Sequence, residues 1–254
     1  MDKRRQTELI GYLKELNLRT VCNRFEDLAR EARKESLSYG EYLFLVIQEE
    51  SQARRQKRIE RWLKESHIPL EKKMDTFELK CLPNKVKQQL RILLAGHFLD
   101  HKENILIFGN PGSGKTHMAC ALGQELIRQN KKAYFTTCAL LLQELLAAKR
   151  SLKLPKLLKK LNKYPVLIID DIGYVQQEKE EMEVLFTLLA ERYERGSVVI
   201  TSNLPFSKWE QIFKDPMMTA AAIDRIVHHS VIVELNISSY RMLTAKNRKA
   251  QERR

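Results

Sequence analysis

The chain predicts an α/β fold: a five-stranded parallel sheet between helices, preceded by a small all-helical domain. Three observations predict it. From about Thr76 onward, short apolar segments alternate with stretches of helical periodicity, the pattern of a parallel sheet covered on both faces. One of those segments runs into a glycine-rich octapeptide that opens a helix. The first 70 or so residues carry no such loop and little strand pattern.

In chain order, Leu9, Tyr12, Leu13, Leu16, Leu18, Val21 and Phe25 recur at helical spacing. A second helical stretch is expected from about Ser38 to Trp62, with Tyr42, Leu43, Leu45, Val46 and Ile47 followed by a polar half. The segment from His67 to Asp75 contains Pro69 and no periodicity, and reads as a linker. A helical domain is therefore expected over residues 1–70 and an α/β domain over 71–254. Strands are expected near 104–108, 133–137, 166–170, 197–201 and 231–235, with helices in the gaps.

Residues Gly109 to Thr116 read Gly-Asn-Pro-Gly-Ser-Gly-Lys-Thr, a complete G-x-x-x-x-G-K-[ST] loop. Apolar Asn104–Phe108 precedes it as a strand, and His117–Ile127 follows with helical spacing. Gly109, Gly112 and Gly114, spaced by Asn110, Pro111 and Ser113, let consecutive backbone N–H groups point at one anion. The helix that follows adds its positive N-terminal end. Lys115 is expected at the β- and γ-phosphates of a nucleoside triphosphate, and the Thr116 hydroxyl at Mg²⁺.

A second motif, Val166-Leu-Ile-Ile-Asp-Asp171, is a buried strand with two carboxylates at its carboxyl end, where open α/β sheets bind ligands. Asp170 is expected to complete the Mg²⁺ shell opposite Thr116, and Asp171 to orient or deprotonate a water. The bland alternative is a pair of acids capping a helix. Gly196–Asn203 forms another apolar strand with a polar end. If it lies beside the Asp170 strand, Asn203 faces the γ-phosphate; otherwise it is a strand-end turn. Arg225, after Asp224, is either a surface arginine or a finger reaching a neighbouring subunit's site. Arg241 is a second candidate for phosphate contact.

The formal net charge of +13 asks for a polyanionic partner. From Arg128 to Lys163 there are ten basic residues and one acid, Glu144. Lys149, Arg150, Lys153, Lys156, Lys159 and Lys160 lie in the densest part, between leucines that could bury one face. They are candidates for contact with a DNA backbone, which implies sequence-tolerant and salt-sensitive binding. The competing reading is an ordinary amphipathic surface helix. Cys22, Cys81, Cys120 and Cys138 form no C-x-x-C pair and read as reduced, mostly buried thiols. With no secretory leader and no apolar run near the ~20 residues of a membrane span, a cytoplasmic protein is expected.

Taken together, the octapeptide with His117, the Leu-Ile-Ile-Asp-Asp-Ile-Gly-Tyr strand, the Ile-Thr-Ser-Asn-Leu-Pro-Phe strand, the Asp-Arg helix and the Tyr-Arg pair at Arg241 resemble an AAA+ ATPase of the initiator and helicase-loader group. More narrowly, almost the whole chain resembles the IstB family, ATP-binding helpers encoded beside transposases in bacterial insertion sequences and related to the helicase loader DnaC. The resemblance implies an ATPase with ATP and Mg²⁺, His117 within the nucleotide-binding set, Asp171 for water activation, Asn203 as sensor, Arg225 as finger and Arg241 as second sensor. It also implies head-to-tail self-association into a ring or spiral on duplex DNA, a transposase as partner, and a helical domain that meets partner or DNA. Many AAA+ proteins carry Glu where this chain has Asp171, which implies slow turnover. The 19 residues after Leu235 are too few for a full helical lid. The leading expectation is an ATP-dependent, DNA-binding regulator of transposition. Its rivals are a helicase loader, a small-molecule P-loop kinase and a DNA-compacting protein.

Overall fold

A computed structural model describes residues 2–173, 179–205, 208–209, 226–227 and 229–237. The chain divides into two compact units, Met1–Arg61 and Trp62–Arg254, so the division falls before the expected boundary at residue 70.

The first unit is helical: α1 (Lys3–Glu15), α2 (Arg19–Lys34) and the greater part of α3 (Tyr39–Glu65). Its core is Leu13, Val21, Phe25, Leu28 and Val46, with Leu9, Ile10, Leu18, Cys22 and Tyr42 packed against it. The entry to α3 is a capping box: Ser38 N–H donates to Glu41 Oε2 at 2.7 Å, and Glu41 N–H donates to Ser38 Oγ at 3.3 Å. Glu50 on α3 is buried and accepts from the N–H groups of Thr20 and Val21 at 2.8 and 3.1 Å, closing the start of α2. Arg54 donates to its other oxygen at 2.7 Å. Tyr39, Leu43, Phe44 and Ile47 remain exposed along α3, at 96, 60, 64 and 50%.

The second unit is an α/β domain. After α4 (Asn84–Ala95) the sheet strands are β1 (Asn104–Gly109), β2 (Ala133–Thr137), β3 (Val166–Ile172), β4 (Ser197–Ser202) and β5 (Ser230–Leu235). Between them run α5 (Lys115–Arg128), α6 (Cys138–Arg150), α7 (Leu154–Leu161) and α8 (Lys179–Arg192). All pairings are parallel, in the order β2-β3-β4-β1-β5. Apolar residues on both sheet faces are sealed, as the continuous Val-Leu-Ile-Ile run of β3 requires: all four are fully buried. Gly123 explains how closely α5 lies on the sheet, since a Cβ there would come within 2.6 Å of Ile168 Cδ1. Because β4 lies between β3 and β1, the ends of the two motif-bearing strands flank the end of β4.

The expected linker, 67–75, is instead fastened to the α/β domain. Phe135 N–H donates to Ser66 O at 2.8 Å, and Ile68 is buried. The Gln124 amide donates to Pro69 O and Lys72 O at 3.1 and 3.0 Å, and the His117 ring bonds Lys73 O at 2.8 Å. Side chain-to-backbone bonds give a segment no periodicity, which is why the sequence reads as a linker. The basic stretch is not one amphipathic helix, the competing reading, but spans two: α6 ends at Arg150, and Leu152 turns the chain in the left-handed region (φ 55°) before α7. Cys120 and Cys138 are buried, Cys22 is half-buried and Cys81 is exposed; all are free thiols. Among the described residues, no helix is long and apolar enough to cross a membrane.

Candidate nucleotide site

The octapeptide joins β1 to α5 at the carboxyl edge of the sheet. Gly109 ends β1, and Ser113 N–H donates to Asn110 O at 3.1 Å across Pro111, making the turn. Gly114 caps α5 at φ 94°, with the Phe77 ring 3.1 Å from where a Cβ would stand, so both backbone and space favour glycine. Gly112 also has positive φ, 79°. Ser113 Oγ is buried without a hydrogen-bond partner among the described residues. A buried hydroxyl with no partner, in a glycine-rich loop at the start of a helix, fits an anion that is held there when ligand binds.

The remaining motif residues converge on that loop. Lys115 is only 7% exposed, and its ammonium donates to Gly109 O (2.8 Å), Asn110 O (3.0 Å) and Asn203 Oδ1 (2.5 Å). Asn203 Nδ2 in turn donates to Asp171 Oδ1 at 3.2 Å. The Thr116 hydroxyl donates to Asp170 Oδ2 at 3.1 Å. Asp170 is buried, and Asp171 lies beside it at φ 64°. Burial, then the charge of Asp170, pushes the Asp171 carboxyl above the ordinary carboxylate range, with Lys115 offsetting part of this. β4 does lie beside β3, and Asn203 stands between the lysine and the second acid.

His117 faces the entry segment rather than the acids. Its ring bonds Lys73 O and approaches the Thr76 hydroxyl at 3.3 Å, and it contacts the Phe77 ring at a centroid distance of 5.1 Å. With Phe77, Leu82, Ile237 and the loop it lines a cavity of about 220 Å³ whose wall is largely apolar. Arg225 and Arg241 lie outside the described residues.

The six basic candidates separate into two groups. Lys149 pairs with Glu183 at 2.9 Å, and Arg150 lies 4.0 Å from Glu180, both acids on α8. Lys153, Lys156, Lys159 and Lys160, joined by Lys163, are exposed and line a groove of about 780 Å³ beside α6 and α7. Leu158 and Leu161 on the other side of α7 are buried in the core. Two residues escaped the sequence reading. Thr201 bonds both acids, and its only signal is a hydroxyl inside an apolar strand. Gln124, buried in α5, anchors the entry segment and carries no sequence signal.

A parallel five-stranded sheet, the phosphate loop and the paired acids at its carboxyl edge define a P-loop nucleotide-binding protein with the AAA+ fold. The chain belongs to the IstB-like ATP binding protein family, whose profile matches residues 11–250. It is 40% identical over 238 residues to a Sinorhizobium fredii protein named as an insertion sequence ATP-binding protein, covering 93% of this chain and 80% of that one. A Geobacillus stearothermophilus protein named for ATP binding and insertion sequence IS5376 is 37% identical, with 91 and 92% covered. Among solved structures, the DnaC helicase loader superposes with a TM-score of 0.55 at 20% identity, over 66% of this chain and 98% of that one. AMPPCP-bound DnaA from Aquifex aeolicus gives 0.55 at 14% identity, over 73 and 56%. At these identities the likeness is one of fold.

Proposed function

We propose that this protein is a Mg²⁺-dependent ATPase that assembles head-to-tail on duplex DNA and presents the target to the transposase of its insertion sequence. The observation that carries the reading is the convergence of Lys115, Thr116, Asp170, Asp171 and Asn203 on one loop. In this reading the loop N–H groups and Lys115 hold the phosphates, and the Phe77 and Leu82 wall takes the base. Thr116 and Asp170 hold Mg²⁺, which when bound neutralises phosphate charge. Asp171, its basicity raised by its surroundings, accepts a proton from the attacking water while Asn203 orients it. Arg225 completes the site of the next subunit, and a heterologous contact of that kind closes a ring or continues as a spiral. Arg241 adds a phosphate contact. The relatives named for insertion sequences support a transposase as client.

The net charge of +13 and the exposed groove lysines support DNA as the polyanion. Lysines act on phosphates as point charges, so binding is sequence-tolerant. The test is duplex-DNA binding measured with ATP and with ADP across a salt series. Wild type should bind more tightly with ATP and lose affinity steeply as salt rises. Lys115→Ala should lose the nucleotide dependence. Lys153→Glu, Lys156→Glu and Lys160→Glu combined should weaken binding and flatten the salt slope by about two to three phosphate contacts. Equal affinity with and without ATP in wild type overturns the assembly reading, and an unchanged triple variant removes the groove from the interface. The second reading, a helicase loader, rests on the fold shared with DnaC; capture of a replicative helicase in place of a transposase would decide for it.

A further inference from the structure

The two acids of β3 interrupt the regular ladder. Ile169 pairs with Ile200 and Ile172 with Ser202, so Asp170 and Asp171 together oppose one residue, Thr201. This is a β-bulge between parallel strands. In a regular strand successive side chains point to opposite faces, and neighbouring acids could not serve one site. The bulge removes that conflict by placing Asp171 at φ 64°, a region non-glycine residues enter at a cost.

What holds this backbone in place is Thr201. It is fully buried, and its hydroxyl donates to Asp170 Oδ1 at 2.6 Å while accepting the Asp171 N–H at 2.8 Å. One side chain therefore fixes the first acid's carboxylate and the second acid's backbone. Asp170 Oδ2 is left to Thr116, and Asp171 Oδ1 to Asn203. The three residues before it in β4, Val198, Val199 and Ile200, are apolar, and valine would suit this part of the buried strand equally well in shape. Only the hydroxyl satisfies the two polar groups that the bulge exposes to the strand interior.

We propose that Thr201 is the positioning residue of the nucleotide site: it orients the Asp170 carboxylate toward the Thr116 side and holds the bulge that carries Asp171 to Asn203. The inference rests on the reading of Thr116 and Asp170 as the Mg²⁺ pair of the nucleotide site. The bonds of the Thr201 hydroxyl go to the two acids, and it acts through them.

The test compares full-length wild type, Thr201→Val and Thr201→Ser for binding of a fluorescent ATP analogue, first in EDTA and then through a Mg²⁺ titration. Groups that orient metal-binding carboxylates typically change metal affinity by about 10–100-fold. Thr201→Val should need that much more Mg²⁺ for half-maximal tight binding, with its affinity in EDTA unchanged. Thr201→Ser, which keeps the hydroxyl, should restore the wild-type requirement. An unchanged requirement in Thr201→Val, or a serine variant as impaired as the valine one, overturns the proposal. Wild type that binds the analogue without any Mg²⁺ dependence overturns the Thr116 and Asp170 reading as well. Should Thr201→Val not fold, Thr201→Cys keeps the volume with a weak donor and must show the same loss.

Discussion

At the scale of single residues, charges taken out of water are each tied to a task. Glu50 is the plainest case. Burial pushes its carboxyl up, but the bond from Arg54 and the N–H groups of Val21 and Thr20 outweigh it and hold it below the ordinary glutamate range. A lowered folded value means stabilisation that is present above the unfolded value, near pH ~4.3, and is lost as pH falls through the folded one. Glu50→Gln should therefore cost about 1–2 kcal/mol at neutral pH, where charged hydrogen bonds are lost. Urea unfolding followed by circular dichroism should show that gap at pH 7 and its closure under acid conditions. A gap that persists in acid would mean that Glu50 acts by packing alone. Asp171 has the opposite sign: burial and the neighbouring Asp170 raise its value, which marks a carboxylate held at a cost.

At the scale of elements, Arg192 ties strand starts to helix ends. It ends α8, is 1% exposed, and donates to the carbonyl oxygens of Leu161 (3.1 Å), Tyr164 (3.0 Å), Pro165 (3.3 Å) and Ser197 (3.0 Å). Desolvation brings its guanidinium down to about 10, so it stays charged at neutral pH. It thereby joins the end of α7, the approach to β3 and the first residue of β4, at the edge of the sheet opposite the phosphate loop. Arg192→Met keeps much of the length and removes every donor; Leu161 O and Pro165 O keep the backbone N–H groups of Tyr164 and Ser197, while Tyr164 O and Ser197 O lose their bond to the guanidinium. A loss of about 1–3 kcal/mol in denaturant unfolding is expected, while nucleotide contacts at the far edge stay intact if the variant is held below its melting temperature. The break between α6 and α7 belongs to the same scale. The left-handed turn at Leu152 lets the lysines of α7 stand apart from Lys149 and Arg150, which pair with α8. Charge density along the sequence marks the region; only the turn separates the residues paired with α8 from the lysines that line the groove.

At the scale of the whole molecule, the helical unit leaves four large apolar side chains exposed on one helix, Tyr39, Leu43, Phe44 and Ile47. The nearby acids are engaged within the unit, Glu41 with Ser38, Glu49 with Arg24 and Glu50 with Arg54. Such an uncharged stripe suits a protein surface better than a phosphate backbone, so in the proposed function it faces the transposase. Leu43→Lys with Ile47→Lys should abolish capture of the transposase and leave ATP and DNA binding at wild-type levels; retained capture would move the client surface elsewhere. The sequence by itself determined the sheet, its five strands and the place of the loop and acids on it, because apolar period and a glycine-rich loop are local and strongly constrained. The identity of Asp170's partner Thr116 followed from the same motifs. What only the tertiary structure decided is how two adjacent acids come to share one site. That depends on a bulge against β4, and on a threonine thirty-one residues from Asp170 whose hydroxyl gains meaning only when the strands are paired. The same holds for Gln124, Arg192 and the segment 67–75: each is fixed by side chain-to-backbone bonds between distant elements, which leave no periodic trace in a sequence.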